Sequence, residues 1–346
     1  MPGFLSWISG LFSPNKTATL SAPESRLLNP VALPQDNAET NPALVDQLEE
    51  HLFCWLLDSS PTTLRAETGQ WEHVLEKLRW RITHQELDEL PRQPMALPML
   101  MQALSDETSD RHRLTNIILN DPALTDQLLQ IANSPYFRPG DQSIDSVDQA
   151  VFVLGLDGIR NVISAAIMRP MMAARNSREA LFAQRVWRWG LTCARSAELI
   201  AKIQGQDASV YFMAGLLPAL SYITLRRELQ RICRAEPGMT EPPPSLIHDA
   251  LSRYQWATSQ LLANAWNLPP KYHAHLMAAE RPAPKQKHTP LNDGIIVGTR
   301  EVLRHAHQRN MPEEDVLRII HLSGPQFTRV RKVILDVLEA GAKTRA

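Results

Sequence analysis

Apolar side chains return every three or four residues along most of the chain, a period that predicts helices from end to end. Leu44, Leu48, Leu52, Trp55 and Leu56 keep to one helical face, and Trp71, Val74, Leu75, Leu78 and Ile82 mark a second helix. Thr83 followed by Glu86 reads as a capping box opening a short helix that ends at Pro91. Asp121-Pro122 places an N-cap acceptor before a proline at the first helical position, where its missing N–H costs nothing. That helix runs through Leu124, Leu128, Leu129 and Ile131, and Pro135 sets its end near Asn133-Ser134. Ser146 and Gln149 form a second capping box ahead of Val147, Ala150, Val151 and Leu154, with Gly155 as the stop. A further apolar helix runs from Gly158 through Ile159, Val162, Ile163, Ala166 and Ile167 to Pro170. No segment alternates β-branched and polar residues convincingly, so the pattern predicts an all-α protein.

The breaks between these periods set the organisation. Residues 13 to 42 carry Pro14, Pro23, Pro30, Pro34 and Pro42 among small polar residues, without an apolar period. Pro237 and Pro242-Pro243-Pro244 interrupt the chain before a helix bearing Leu251, Tyr254, Leu261, Leu262 and Trp266. A proline-rich loop at 281 to 290 precedes helices near 292–308, 313–322 and 325–340. The expected plan is a flexible segment 1–42, a helical extension 43–90, a main domain 91–286 and a C-terminal helical section 287–346 packed on it. No fixed-period repeat is visible, which argues against a solenoid.

Composition narrows the function classes. The net charge of −1 gives no general attraction to nucleic acid. Arg226, Arg227, Arg231 and Arg234 read as one solvated helix face. Cys54, Cys193 and Cys233 lie far apart with no CxxC spacing, so buried free thiols in a reducing cytoplasm are expected, without zinc or a disulfide framework. Phe4, Leu5, Trp7, Ile8, Leu11 and Phe12 form an apolar run lacking the basic flank of a signal peptide. It is too short to span a bilayer; its candidate roles are a disordered end, a flap over the body, or contact with a partner or membrane surface. No other stretch approaches ~18 consecutive apolar residues, so a soluble protein is expected.

Four landmarks, in order, carry a resemblance: Leu90-Pro91 with Pro94 and Leu97-Pro98; Asp121-Pro122-Ala123-Leu124-Thr125; Asn133-Ser134 with Phe137; and Ile144-Asp145-Ser146-Val147 with Ala150-Val151 and Leu154-Gly155. Residues from about 91 to 280 resemble the HDOD domain, a relative of the HD metal-dependent phosphohydrolases. The resemblance implies an HD-like multi-helix bundle and a place in bacterial signal transduction as an output or adaptor module.

It also implies where metal ligands would stand. Catalytic HD domains converge His nitrogens and carboxylate oxygens on a divalent cation, which lowers the pKa of a bound water or polarises a phosphoryl oxygen. The first His position falls in Trp187-Arg188-Trp189-Gly190, where Trp189 stands instead. The His-Asp pair expected after Ala214-Gly215-Leu216-Leu217 is Pro218-Ala219. A later His, ahead of Trp266-Asn267-Leu268-Pro269, aligns less certainly with Gln255, and the His-rich end of the region is replaced near Ala279-Glu280. Tryptophan, proline and alanine side chains offer no lone pair to a cation. His248-Asp249 spells the pair, but it opens a helix after the polyproline break, where a first-turn Asp satisfies the helix dipole. His273/His275 and His305/His307, two residues apart, point to different helix faces. There is no Gly-x-Ser-x-Gly, P-loop or dinucleotide turn, and the short central helices lack the polar density of a DNA-reading helix-turn-helix.

The expectation is therefore a non-catalytic regulatory scaffold or adaptor, with no metal or cofactor, binding partner proteins through a degenerate cleft. An alternative uses the same cleft as a sensor of a nucleotide second messenger, a cyclic dinucleotide or guanosine polyphosphate. There Arg185, Arg188 and Arg195 would hold phosphate and Trp189 would stack a base.

Overall fold

The computed structural model describes residues 42–66, 69–99, 115–116, 118–119, 122–132, 143–280 and 289–343, and among these it holds helices and turns but no strand. The α-helices are α1 (Pro42–Leu57), α2 (Pro61–Leu64), α3 (Glu72–Thr83), α4 (Pro122–Ala132), α5 (Val147–Met168) and α6 (Ser177–Ile203). They continue with α7 (Ala208–Arg234), α8 (Pro244–Ala265), α9 (Pro270–Glu280), α10 (Pro290–His305), α11 (Glu313–Ile319) and α12 (Gly324–Lys343). Asp121, Asn133, Ser134, Phe137, the apolar run at 4–12 and most of the 281–290 loop lie outside the described residues.

Helices α6 and α7, 27 residues each, form the centre. Asn176 caps α6 by accepting the Glu179 N–H at 2.9 Å, and Asp207 caps α7 by accepting that of Val210 at 3.4 Å. The turn between them passes through Gly205 at φ +70°, a left-handed conformation that suits glycine. The two helices are antiparallel in close contact. A Cβ built on Gly190 would lie 2.4 Å from the Ala219 Cβ, and one on Gly215 would lie 2.7 Å from the Ala194 Cα. On another face of α6, α10 approaches as tightly: a Cβ on Gly294 would meet the Ala197 Cα at 2.5 Å, and one on Gly298 the Cys193 Cα at 2.6 Å. Helix α7 is long and apolar enough to cross a membrane, yet 89% of that stretch is buried in the fold, as in a core helix.

The N-terminal extension and the C-terminal section pack on this centre. Helix α1 lies against α6 and α10, while α3 lies against α7 and α8. Charged pairs tie them down: Arg185 Nη2 to Asp58 at 3.0 Å, Arg81 Nε to the fully buried Glu228 at 2.6 Å, and Arg253 Nη1 to Glu72 at 3.1 Å. The Leu90–Pro98 landmark also has a structural role. Trp266 Nε1 donates to the Pro91 carbonyl at 2.9 Å and Gln93 Nε2 to the Trp266 carbonyl at 2.6 Å, fastening the end of α8. Helix α12 buries Phe327, Val330, Ile334 and Leu338.

Three local expectations are corrected and one holds. Thr83 ends α3 rather than opening a helix: its hydroxyl bonds back to the Arg79 carbonyl at 2.9 Å. Gln85 turns left-handed at φ +59°, and the Glu86 N–H reaches the Arg81 carbonyl at 2.8 Å, as in a Schellman ending. At the second capping box, Ser146 accepts the Gln149 N–H at 3.2 Å, but the Gln149 side chain accepts from Asp145 rather than from Ser146. The expected stop at Gly155 holds: at φ 70°, ψ 173° it breaks the helical path, and a second helical stretch follows at once, so α5 is two helices meeting at a kink. Finally, Arg226 and Arg227 do not face solvent. The Arg226 guanidinium lies 4.4 Å above the Phe182 ring, and Arg227 donates to Glu179 at 2.6 Å and to the Met171 and Ala173 carbonyls. Only Arg231 and Arg234 of that cluster are exposed.

Candidate functional site

The residues that the sequence resemblance aligns with HD ligand positions lie on α6, α7 and α8, and all of them are buried. Trp189 is 2% exposed; its Nε1 donates to Thr299 Oγ1 on α10 at 2.8 Å. Its ring stacks on Tyr222 of α7, with centroids 4.9 Å apart and planes 6° from parallel. This offset-stacked pairing adds roughly 0.5–1.5 kcal/mol beyond burial. Pro218 and Ala219 are buried inside α7, and Ala219 fills the space that the missing Gly190 side chain leaves. The Pro218 carbonyl accepts the Ser221 hydroxyl at 2.7 Å. Gln255 is buried on α8, which packs on α7, and its carbonyl accepts the Ser259 hydroxyl at 2.8 Å. Among the described residues, no group of three or more His, Cys, Asp or Glu side chains is placed to hold a metal ion. An indole, a proline ring and a methyl group do not fit the divalent centre of the HD hydrolases.

Around the stack lies a buried polar set that the linear motif did not reveal. Burial pushes the Tyr222 hydroxyl well above the phenolic range, with further upward push from Glu49 and Cys193. Burial also raises the Cys193 thiol, partly offset by its hydrogen bond with Thr299. Glu49 of α1 is raised to about 7, first by burial and then by Asp46. A carboxylic acid whose folded pKa exceeds its unfolded value holds its proton more tightly when folded, so it costs stability as pH climbs from 4.5 towards 7. Glu49→Gln is expected to leave stability near pH 4 unchanged and to raise it on the order of 1–3 kcal/mol at pH 8. Urea unfolding at the two pH values measures this, and an equal effect at both would contradict the assignment.

The four residues expected to line a phosphate-binding groove are placed differently. Trp189 is enclosed. Arg185 donates to the Trp55 carbonyl and to Asp58, closing the end of α1. Arg195 is 7% exposed and donates to Glu198 at 2.6 Å. Arg188 is half-buried beside His305, whose imidazole is lowered to about 4 by burial and then by Arg188 and His307. These side chains form no open cationic face around the indole.

The histidine pairs are likewise engaged elsewhere. His248 and Asp249 sit beyond the first turn of α8, so the dipole does not explain Asp249; it contacts His248 Nδ1 at 3.2 Å and Arg253 at 3.4 Å. His248 meets the Phe53 ring edge-on, with centroids 4.9 Å apart. His273 pairs with Gln260 at 2.9 Å, and His275 packs on Tyr211. His305 is the last residue of α10, while His307 lies beyond it at φ +53°.

An open site lies elsewhere. A cleft of about 750 Å³ runs between α3 and the C-terminal end of α7, lined by Lys77, Trp80, Arg81, Arg231, Ile232 and Glu236 among others. Trp80 is 48% exposed there and stacks on His84 at 4.3 Å.

A long antiparallel helix pair wrapped by further helices defines an HD-like all-α domain. The HDOD domain model matches residues 90–282, more than half of the chain, and the chain belongs to that family. The protein YuxH of Bacillus subtilis is 25% identical over 194 residues; the match covers 52% of this chain and 46% of YuxH, so the chain spans about half the length of that curated relative. Two solved structures share the fold at 18% identity. One, from Shewanella amazonensis, is named as a candidate metal-dependent phosphohydrolase (TM-score 0.53, covering 79% of this chain and 100% of that one). The other is an HDOD domain protein of unknown function from Geobacter sulfurreducens (TM-score 0.52, covering 76% and 98%).

Proposed function

We propose that this chain is a non-catalytic regulatory module of the cytoplasm that acts by binding partner proteins. The observation that carries the reading is the Trp189–Tyr222 stack locked to Thr299, since Trp189 is the residue that the motif order aligns with a hydrolase's metal ligand. Hydrolysis of a phosphoester needs a nucleophilic water and charge neutralisation at the phosphoryl oxygens. Trp189, Pro218 and Ala219 supply neither. Two of the three arginines of α6 that a nucleotide sensor would use, Arg185 and Arg195, are paired with Asp58 and Glu198, which favours the protein-binding reading over a nucleotide in this interface.

The purified chain is expected to carry no stoichiometric Mn, Fe, Zn or Mg by elemental analysis. With each metal added, it should hydrolyse bis-p-nitrophenyl phosphate and p-nitrophenyl phosphate no faster than buffer. A transition metal at full occupancy whose removal by chelator abolishes a measurable hydrolysis would overturn the reading.

A further inference from the structure

We infer that the cleft between α3 and the end of α7 is the seat of the chain's own N-terminal apolar run, residues 4–12, which folds back over it as a flap. The inference goes beyond the protein-binding reading and does not depend on it. The cleft, about 750 Å³, has room for a few large side chains. Its floor is apolar, Ile232 and Ala235, and Trp80 forms a wall with nearly half of its surface open to solvent. Covering that indole with apolar groups is favourable in proportion to the area removed from water. The run supplies such groups: Phe4, Trp7, Ile8 and Leu11 have the i, i+3, i+4, i+7 spacing with which an amphipathic segment lays its anchors in a groove.

The charges around the cleft favour an uncharged occupant. Each lining cation already faces a carboxylate: Lys77 pairs with Glu236, Arg81 with Glu228 at 2.6 Å and with Asp88, and Arg231 with Asp88 at 2.5 Å and Glu228 at 3.5 Å. His73 approaches Glu236 at 3.5 Å, and Glu76 adds an exposed carboxylate to the lining. A charged segment would meet its like or compete with a pair already formed, whereas an apolar one needs only the indole and the floor. Residues 1–15 carry no charged side chain, and Lys16 is the first.

The tether is long enough. Helix α1 begins at Pro42, so residues 13–41 lie between it and the run. About 30 residues reach about 100 Å when extended, and a flexible chain of that length spans about 30 Å on average. A folded domain of about 300 residues has a radius of gyration of about 19 Å, which brings the cleft within reach. Such a tether gives an effective concentration on the order of millimolar, so a contact with a dissociation constant below about 1 mM keeps the seat mostly occupied.

Photo-crosslinking of the full chain carrying Leu11→p-benzoylphenylalanine, an apolar ring in place of an apolar side chain, tests this. Mass spectrometry of the monomer band should place the crosslinks on residues 73–84 and 231–236. Trp80→Ala should reduce their yield roughly fivefold or more, as loss of a central aromatic anchor does. Leu181→Ala, at an exposed leucine on α6, should leave the yield unchanged. Hydroxyl-radical footprinting gives a second readout that leaves the cleft intact. Oxidation of Trp80 should rise roughly twofold or more when Phe4→Asp, Trp7→Asp and Leu11→Asp together bar the run from an apolar seat. Circular dichroism checks that the variants fold, which the exposure of Trp80 permits and which the triple variant, unaltered from Pro42 onward, should pass. Crosslinks spread over the surface or gathered on another face would overturn the inference, as would a yield indifferent to Trp80→Ala. So would equal Trp80 oxidation in the triple variant and the wild type, or crosslinks that join two chains with a yield rising with concentration, which would seat the run on a second copy.

Discussion

Gly294→Ala is expected to destabilise the fold by about 2 kcal/mol, although alanine is the better helix former. In an unconstrained helix the exchange gains roughly 1 kcal/mol, because glycine loses more backbone freedom on folding. In α10 the new methyl would lie 2.5 Å from both the Cα and the N of Ala197, and 2.6 Å from its Cβ. Those are backbone atoms of a central helix, so no side-chain rotation relieves the clash; α10 itself must move. Four residues on, a Cβ at Gly298 would lie 2.6 Å from the Cys193 Cα, so the helices are as close there and tilting about that end is not an option. Overpacking of this kind costs about 1–3 kcal/mol and occasionally more, enough to outweigh the propensity gain. Gly294→Val should lose more still. Gly69→Ala is the control, since a Cβ there meets nothing within 4 Å. Chemical denaturation reads the sign directly: if Gly294→Ala gains stability, the close approach of α6 and α10 is not as described.

The same contacts show what can be read from a linear sequence. Helices announced themselves through period and caps: Ser146 ahead of α5 and the turn at Gly155 lie where local chemistry puts them, because cap and helix are neighbours in the chain. The burial of Trp189, Pro218 and Ala219 agrees with their apolar helical surroundings in the sequence. What those residues pack against was not legible. Tyr222 and Thr299 reach Trp189 from other helices, and no local pattern marks either of them. Gly294 and Gly298 stand four apart in the sequence, but the spacing alone does not say which helix crosses them. Arginine spacing misled similarly. Arg226 and Arg227 lie in a run that reads as solvated, yet one covers Phe182 and the other is bound by Glu179, a carboxylate 48 positions away. Thr83 and Glu86 had the spacing of a capping box, but α3 already occupied Thr83 as its last residue, and the hydroxyl bonded backwards. Trp80 falls off the apolar face of its helix, which Val74, Leu75, Leu78 and Ile82 form, and that is why it is exposed.

Trp189→Ala is expected to show the largest loss of any single change at the α6–α7 interface, about 3–5 kcal/mol, from the buried surface removed and the cavity left behind. The more informative variants separate the stack from the hydrogen bond. Trp189→Phe keeps an aromatic ring against Tyr222 but removes the N–H that Thr299 accepts at 2.8 Å. Thr299→Val keeps the shape at 3% exposure but leaves the Trp189 N–H buried without its acceptor. Each should cost roughly 1–3 kcal/mol, because a buried polar group stripped of its partner bears its desolvation alone. In the double variant neither orphan remains, so its loss should fall short of the summed singles by about 1 kcal/mol or more. Urea denaturation of the four proteins closes the cycle. Strict additivity would show that the indole is held by shape alone. A clear coupling would show that Trp189 is held as a bonded core group between α6 and α10. In that case, opening that interface to admit a cation would first cost the protein a substantial part of its stability.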